Sequence, residues 1–338
     1  MQHRLKLRGR GRRIQAKSAW LAGLAALFCW GCQANPPLVI ALIPRTSGTG
    51  LWEPEHRGAD AAALKIGAHI YWNAPTREDD VEGQIALVDQ VISKGYQGLV
   101  LAPDHSLALI TPVRRALARG IPTVIVSSQL PIPGGGKLSY ILNDDETGGR
   151  IAAQRVAELV HGRGSVAVLG VNPDVTGIMI RARSFELFLA QNYPNIQITK
   201  RKGSFNVLHE QQIAQEALKT DPGIDVIVGL MWASARGAMS AIGMAAGGRA
   251  VKVIGFDPDG ALPFEIENFD SVIMQDTRAM GEQAVDLIGA ECHGHPMPAS
   301  IKLQPTLVTR NNIGTPEIRQ LTSMEWRPGS WNGSMAPR

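Results

Sequence analysis

Cysteine is scarce in this chain of 338 residues: three are present, at positions 29, 32 and 292. Acid is missing from residues 1–32, which hold seven Lys or Arg (Arg4, Lys6, Arg8, Arg10, Arg12, Arg13 and Lys17). Set that stretch aside and 27 basic residues face 30 acidic ones, so the formal charge of +4 belongs to the leader. A basic nucleic-acid surface is thereby excluded. A membrane-spanning run is lacking there too. The apolar stretch at 19–30 has 12 residues, against roughly 20 for a spanning helix.

The signatures of several enzyme classes are also missing. No GxGxxG lies between a strand and a helix, and Gly134-Gly135-Gly136 follows prolines and precedes a strand, the wrong context for a dinucleotide site. There is no GxxxxGK[ST] and no GxSxG elbow. His209-Glu210 is not completed to HExxH, because Ile213 stands where the second His belongs. His293 and His295 flank Gly294 without a supporting Cys or carboxylate cluster, and the bland reading is a solvated loop. No cofactor or metal is expected, and no residue set suggests proton transfer or nucleophilic attack.

What is present begins with the leader. A basic start, an apolar stretch, small residues and Cys32 have the layout of a secretory signal. Readings of its end compete. Cys29-Trp30-Gly31-Cys32 has the spacing of a redox CxxC. It also resembles a bacterial lipobox, with Gly31 before a Cys that becomes the lipidated first residue. Position favours the lipobox, although Cys29 and Trp30 depart from its usual residues and leave simple cleavage open. Arg12-Arg13 faintly matches a twin-arginine signal. Residues 1–32 are thus expected to be a signal peptide of lipoprotein type, lipidated on Cys32. Cys292 would then be the one thiol left, too few for an internal disulfide.

The mature chain is organised around residues 38–52, LVIALIPRTSGTGLW. The apolar run 38–43 lacks alternation, as in a strand buried on both faces of a parallel sheet. Pro44 cannot donate to a ladder and ends it. From there, strands at 69–72, 98–102 and 123–126 alternate with helices at 51–64, 81–94 and 106–119. A Pro/Gly break follows at 130–136. The alternation then resumes, with helices at 147–161, 181–191, 208–219 and 233–246 and strands at 165–169, 196–200, 226–230 and 251–255. After 271–274, a helix at 277–291 and strands at 301–303 and 306–308 close the pattern, and 322–338 reads as a loose tail. Such βα repetition predicts two doubly wound, right-handed α/β halves. Ligands in these sheets sit at the carboxyl edge of the strands, where Arg45, Thr49 and Trp52 fall.

Six segments carry a resemblance: IALIPRTSGTGLWE at 40–53, DVEGQIALVDQVISKGYQGLVLAPDHSLAL at 80–109, ARGIPTVIVSS at 118–128, NDDETGGRIAA at 143–153, VKVIGFDPDG at 251–260 and VIMQDTRAMGEQAVDL at 272–287. In order and spacing the chain resembles the periplasmic sugar-binding proteins of the ribose-binding type, the substrate-binding component of an ABC importer. The resemblance implies α/β lobes of the type I periplasmic binding protein kind. These are 38–142 plus 277–303 and 144–274 plus 306–321, joined by three hinge crossings at Asn143-Asp144, Gln275-Asp276 and 303–305. It implies ligand contact by Asp257, Gln275, Arg181 and Phe205, by Trp52 of the Leu51-Trp52 pair, and by Thr49 where Asn is common. The sequence departs from the family at Ser127-Ser128, where an Asp-Arg pair is common, and at Met231-Trp232, where Asn-Asp is common.

Sugars have apolar ring faces and a hydroxyl rim, so flat aromatics and fixed polar groups suit them. Trp52, Phe205 and Trp232 supply faces; Arg181, Asp257, Gln275, Ser127 and Ser128 supply the rim; Arg45 and Met231 complete the set. Two Arg against one Asp would favour a sugar acid or another anionic polyol. The expected protein is a monomeric, non-enzymatic receptor of the periplasm or cell envelope, bound to the membrane through its lipid. It would deliver a sugar, polyol or sugar acid to an inner-membrane ABC permease and bind no nucleic acid. The alternative is a ligand-sensing module for a chemoreceptor, a sensor kinase or a furanosyl signal molecule.

Overall fold

The computed structural model describes residues 37–47, 50–244, 250–258, 260 and 262–322. Cys32, Thr49, the signal segment and the tail from 323 onward lie outside the described residues.

The first half runs β1 (Val39–Ile43), a short 3-10 turn (Gly50–Trp52), α1 (Glu53–Ile66), β2 (His69–Trp72), α2 (Val81–Lys94), β3 (Gly98–Leu101), α3 (Ile110–Ala118), β4 (Thr123–Ser127) and β5 (Leu138–Asn143). The second runs α4 (Asp145–Leu159), β6 (Gly164–Val171), α5 (Thr176–Asn192), β7 (Ile196–Lys202), α6 (Val207–Thr220), β8 (Ile224–Gly229), α7 (Trp232–Met244), β9 (Lys252–Phe256) and β10 (Phe269–Met274). The chain ends with α8 (Thr277–Cys292), β11 (Ser300–Leu303), β12 (Thr306–Thr309) and α9 (Pro316–Thr322).

Two six-stranded sheets result, ordered β11-β5-β4-β3-β1-β2 and β12-β10-β9-β8-β6-β7. The first is parallel throughout. In the second, β12 runs antiparallel to β10, an edge departure from the all-parallel expectation. Both place the first strand of their half between the second and third, so both have a switch point where the connections change side. The apolar runs seen in the sequence explain the sheets: Ile40, Ala41, Leu42 and Ile43 are fully buried, as are Val166, Ala167, Val168 and Leu169. Each central strand is covered by helices on both faces.

The chain passes between the sheets three times: from β5 into α4, from β10 into α8, and from β11 into β12. The first two passages end in capped helices. Asp144 accepts from the Thr147 amide at 3.0 Å, and Asp276 from the Ala279 amide at 2.9 Å. These side chains satisfy amides that a helix start leaves open. α8 returns to pack against α1 in the first half. Glycines let these two backbones touch, since a methyl at Gly281 would run into the Glu55 carbonyl oxygen and one at Gly58 into that of Arg278. Gly281→Ala is expected to lower stability by about 1–3 kcal/mol through overpacking, read as a shift in the urea midpoint.

α5 starts at Thr176, five residues before the expected 181. Thr176 and Gly177 are weak helix formers by propensity, and the helix starts there without a capping side chain. Arg181 therefore lies in the second turn and faces inward, 5% exposed.

Candidate functional site

The carboxyl ends of the strands supply the site. Arg45 follows β1, Ser127 ends β4 and Ser128 follows it. Phe205 follows β7, Met231 and Trp232 follow β8, Asp257 follows β9 and Gln275 follows β10. These eight residues, with Trp52 from the turn before α1 and Arg181 from α5, line one cavity of about 30 Å³, room for about one or two water molecules. Thr49 alone of the expected set lies outside the described residues.

Ser127 and Asp257 have φ of 66° and 52°. Each ends or follows the fourth strand of its half, so corresponding tips of the two sheets carry the same unusual backbone. Non-glycine residues hold such conformations at a cost of about 1–3 kcal/mol, and they cluster at functional sites.

Arg181 is the polar centre of the second half. Its Nε donates to Asp145 Oδ1 at 2.6 Å, and its Nη1 donates to Asp257 Oδ2 at 2.5 Å and to the Leu230 carbonyl at 3.0 Å. The guanidinium also lies 4.6 Å from the Phe256 ring centroid. Burial works against its charge, but Asp257 and Asp145 hold its pKa above the usual arginine range. Burial pushes the Asp145 carboxyl up, opposed by Arg181. Asp257 Oδ1 has no hydrogen-bond partner among the described residues. Asn143 Nδ2 donates to Gln275 Oε1, tying two crossings together at the cavity wall.

Arg45 is the polar centre of the first half. Its Nη2 donates to Ser128 Oγ at 2.7 Å and its Nε to the Pro103 carbonyl at 3.1 Å. Its guanidinium lies 5.7 Å from the Trp52 ring and 5.8 Å from Phe205 of the other half, both within cation–π reach. The Ser127-Ser128 substitution thus does not leave this strand tip without charge, because a guanidinium arrives there from β1. The halves meet again at the cavity rim, where the Ser106 amide donates to the Asp174 carbonyl and Thr176 Oγ1 to that of Gln129, each at 3.4 Å.

The sequence reading missed two acids in the lining, Glu78 and Asp145. Asp145 was visible in NDDETGG as a helix-start acid; Glu78 sits in TREDD before α2, where acids look like ordinary dipole complements. Behind Arg45 lie two further buried acids, Glu55 and Asp104, 1% and 6% exposed. Burial pushes Glu55 to about 8, Glu78 to about 8 and Asp104 to about 7, with Arg45 opposing each rise. The expected count of two Arg against one Asp is incomplete: the cavity lining holds three acids, Glu78, Asp145 and Asp257, and Arg181 is already bonded to both aspartates, so a surplus of base does not single out a sugar acid.

Two doubly wound halves that meet around a cavity at their strand tips define a two-lobed solute-binding protein. The chain belongs to the periplasmic binding protein domain family, whose pattern matches residues 40–296. Among its relatives, the D-apiose import binding protein of Paraburkholderia graminis is 24% identical over 283 residues, covering 82% of this chain and 87% of that protein. The D-allose-binding periplasmic protein of Escherichia coli is 22% identical over 268 residues, covering 76% and 86%. A solved ABC transporter solute-binding protein from Agrobacterium vitis, bound with α-D-tagatopyranose, has a TM-score of 0.77 at 25% identity, covering 85% of this chain and all of that one. A carbohydrate transporter solute-binding protein from Agrobacterium radiobacter, in complex with D-arabinose, has a TM-score of 0.78 at 22% identity, covering 86% of this chain and all of that one.

Proposed function

We propose that this protein is an exported receptor that binds a small sugar or sugar-like polyol in the cleft and hands it to an inner-membrane ABC permease. The observation that carries this reading is the convergence of Arg181, Asp257 and Gln275 with the rings of Trp52, Phe205 and Trp232 in one cavity. Flat apolar faces with a few fixed polar groups suit a sugar ring and its hydroxyl rim. Charged partners make hydrogen bonds about twice as strong as neutral ones. The receptor binds and releases its guest without turnover and carries no cofactor. Relatives named for D-apiose and D-allose import or binding support the same class of ligand.

The lobes, 38–142 with 277–303 and 144–274 with 306–321, close about the crossings at 143–144, 275–276 and 303–305. Contacts between the halves at Arg45, Ser106 and Thr176 support a closed form. Ligand stabilises that form, and the permease recognises it. The mature protein is a monomer held at the cell envelope by a lipid on Cys32. Labelled palmitate fed to expressing cells is expected to enter the wild type and not Cys32→Ala; equal labelling would contradict the anchor.

Mass spectrometry of small molecules released from the freshly purified protein tests the ligand class, followed by calorimetry with the compound found and with D-apiose, D-allose, D-arabinose and D-tagatose. The expected result is reversible binding of one sugar or polyol per chain, recovered unchanged. A guest without hydroxyl groups, or chemical conversion of the sugar, would overturn the reading.

A further inference from the structure

The cavity wall holds more acid than base. Arg45 and Arg181 share it with Glu78, Asp145 and Asp257. Arg181 is bonded to both aspartates of its own half, one guanidinium shared between two carboxyl groups. Arg45 makes no comparable pair; its hydrogen bonds go to a carbonyl and a hydroxyl. Glu78 lies near Arg45 but makes no hydrogen bond to any of these groups among the described residues. The residue is part-exposed, but both carboxylate oxygens are shielded and have no hydrogen-bond partner among the described residues. The Trp52 indole is near enough to lower its pKa without completing a hydrogen bond. A second shielded acceptor, Asp257 Oδ1, is equally without a partner among the described residues, on a side chain that is 7% exposed.

These acceptors ask for a ligand rich in donors. A hydroxyl offers one donor and no charge, whereas an ammonium offers three donors and a positive charge. Resting on the sugar-receptor reading, we propose that the cleft prefers an aminated sugar or polyol over its neutral analogue, with the ammonium group against Glu78.

The groups facing Glu78 are Arg45 from β1, Asp104 after β3, and Asp79 beside it; Asp145, Arg181 and Asp257 line the same cavity from the other half. Burial, helped by Asp104 and Asp79 and opposed by Arg45, keeps the proton on Glu78 up to about pH 8. Ionising Glu78 at pH 7 thus costs about tenfold in affinity, which a shielded ammonium–carboxylate pair offsets. The Glu78 proton leaves to solvent as the ammonium docks; a neutral sugar has no such requirement.

Calorimetry on the mature protein tests this with matched pairs: pentoses, hexoses and pentitols against their aminodeoxy forms, in two buffers of different ionisation enthalpy at pH 7. The amine of at least one pair is expected to bind about tenfold or more tighter, releasing close to one proton per ligand. Glu78→Gln should bring the ratio of amine to neutral affinity toward one and remove the proton release, while Glu78→Asp keeps part of both. Neutral members that bind as well as their amines, or an amine preference that survives in Glu78→Gln, would overturn the proposal and leave the receptor reading standing. If no member of any pair binds, both fall.

Discussion

Arg181→Ala is expected to lower folding stability by about 3–5 kcal/mol, the usual cost of removing one partner from a buried ion pair, and to abolish ligand binding. The guanidinium is buried and bridges Asp145, Asp257 and the Leu230 carbonyl, elements distant in sequence. Its removal leaves two buried carboxylates without their counter-charge. Asp145, whose pKa burial raises and Arg181 restrains, would then hold its proton in the folded state at a pH where the unfolded chain has released it. A carboxyl whose folded pKa lies above its unfolded value contributes less stability as pH rises, so the deficit should be greater at pH 8 than at pH 5. Urea titration at both pH values reads this directly. Arg181→Lys should recover only part of the loss, because an ammonium lacks the planar fork that reaches two carboxylates. A loss of equal size at both pH values would show that the carboxylates are not what the arginine supports.

The wild-type protein itself should lose stability between pH 5 and pH 8, and Glu55→Gln should remove a share of about 3–4 kcal/mol of that loss. Glu55 is 1% exposed in the first turn of α1, and neither carboxylate oxygen has a hydrogen-bond partner among the described residues. Burial raises its pKa from 4.5 to about 8, with Arg45 opposing. Between those two values the folded state keeps a proton that the unfolded state has lost, so folding is favoured at the acid end and weakens as pH rises toward 8. Glu78 and Asp104 tilt the curve the same way, and the slope that remains in Glu55→Gln measures their part. A flat wild-type profile from pH 5 to 8 would mean that these acids are ionised and paired in solution.

Much of the fold was legible because it is written in local apolar pattern. The run at 38–43 and its counterparts at 165–169 and 226–230 can be buried only between two helical layers, and they became central strands β1, β6 and β8. Helix starts were less legible. The Thr176-Gly177 start of α5 carries no capping side chain, so nothing local announces it. The antiparallel edge strand β12 was equally hidden, since strand direction depends on a crossing and not on composition.

The site divides in the same manner. Arg45 and Trp52 could be placed from sequence because topology puts every strand end on one edge, and Asp257 because the family resemblance implied it. Partners reached through tertiary packing could not. Asp145 meets Arg181 across 36 positions, and Arg45 meets Ser128 across 83. The acids were undercounted for that reason: Glu55, Glu78 and Asp104 look solvated in the sequence, and only the fold buries them beside Arg45.

The central claim is that side chains at the facing strand tips hold a hydroxylated guest. Calorimetry of Asp257→Asn against the compound that co-purifies with the wild type tests it most directly, with circular dichroism confirming that the variant is folded. Wild type should bind one guest per chain, and the variant should bind it about tenfold or more weakly, as expected when a hydrogen bond to a charged acceptor is lost. Equal affinity in the folded variant would place the guest somewhere other than this cleft.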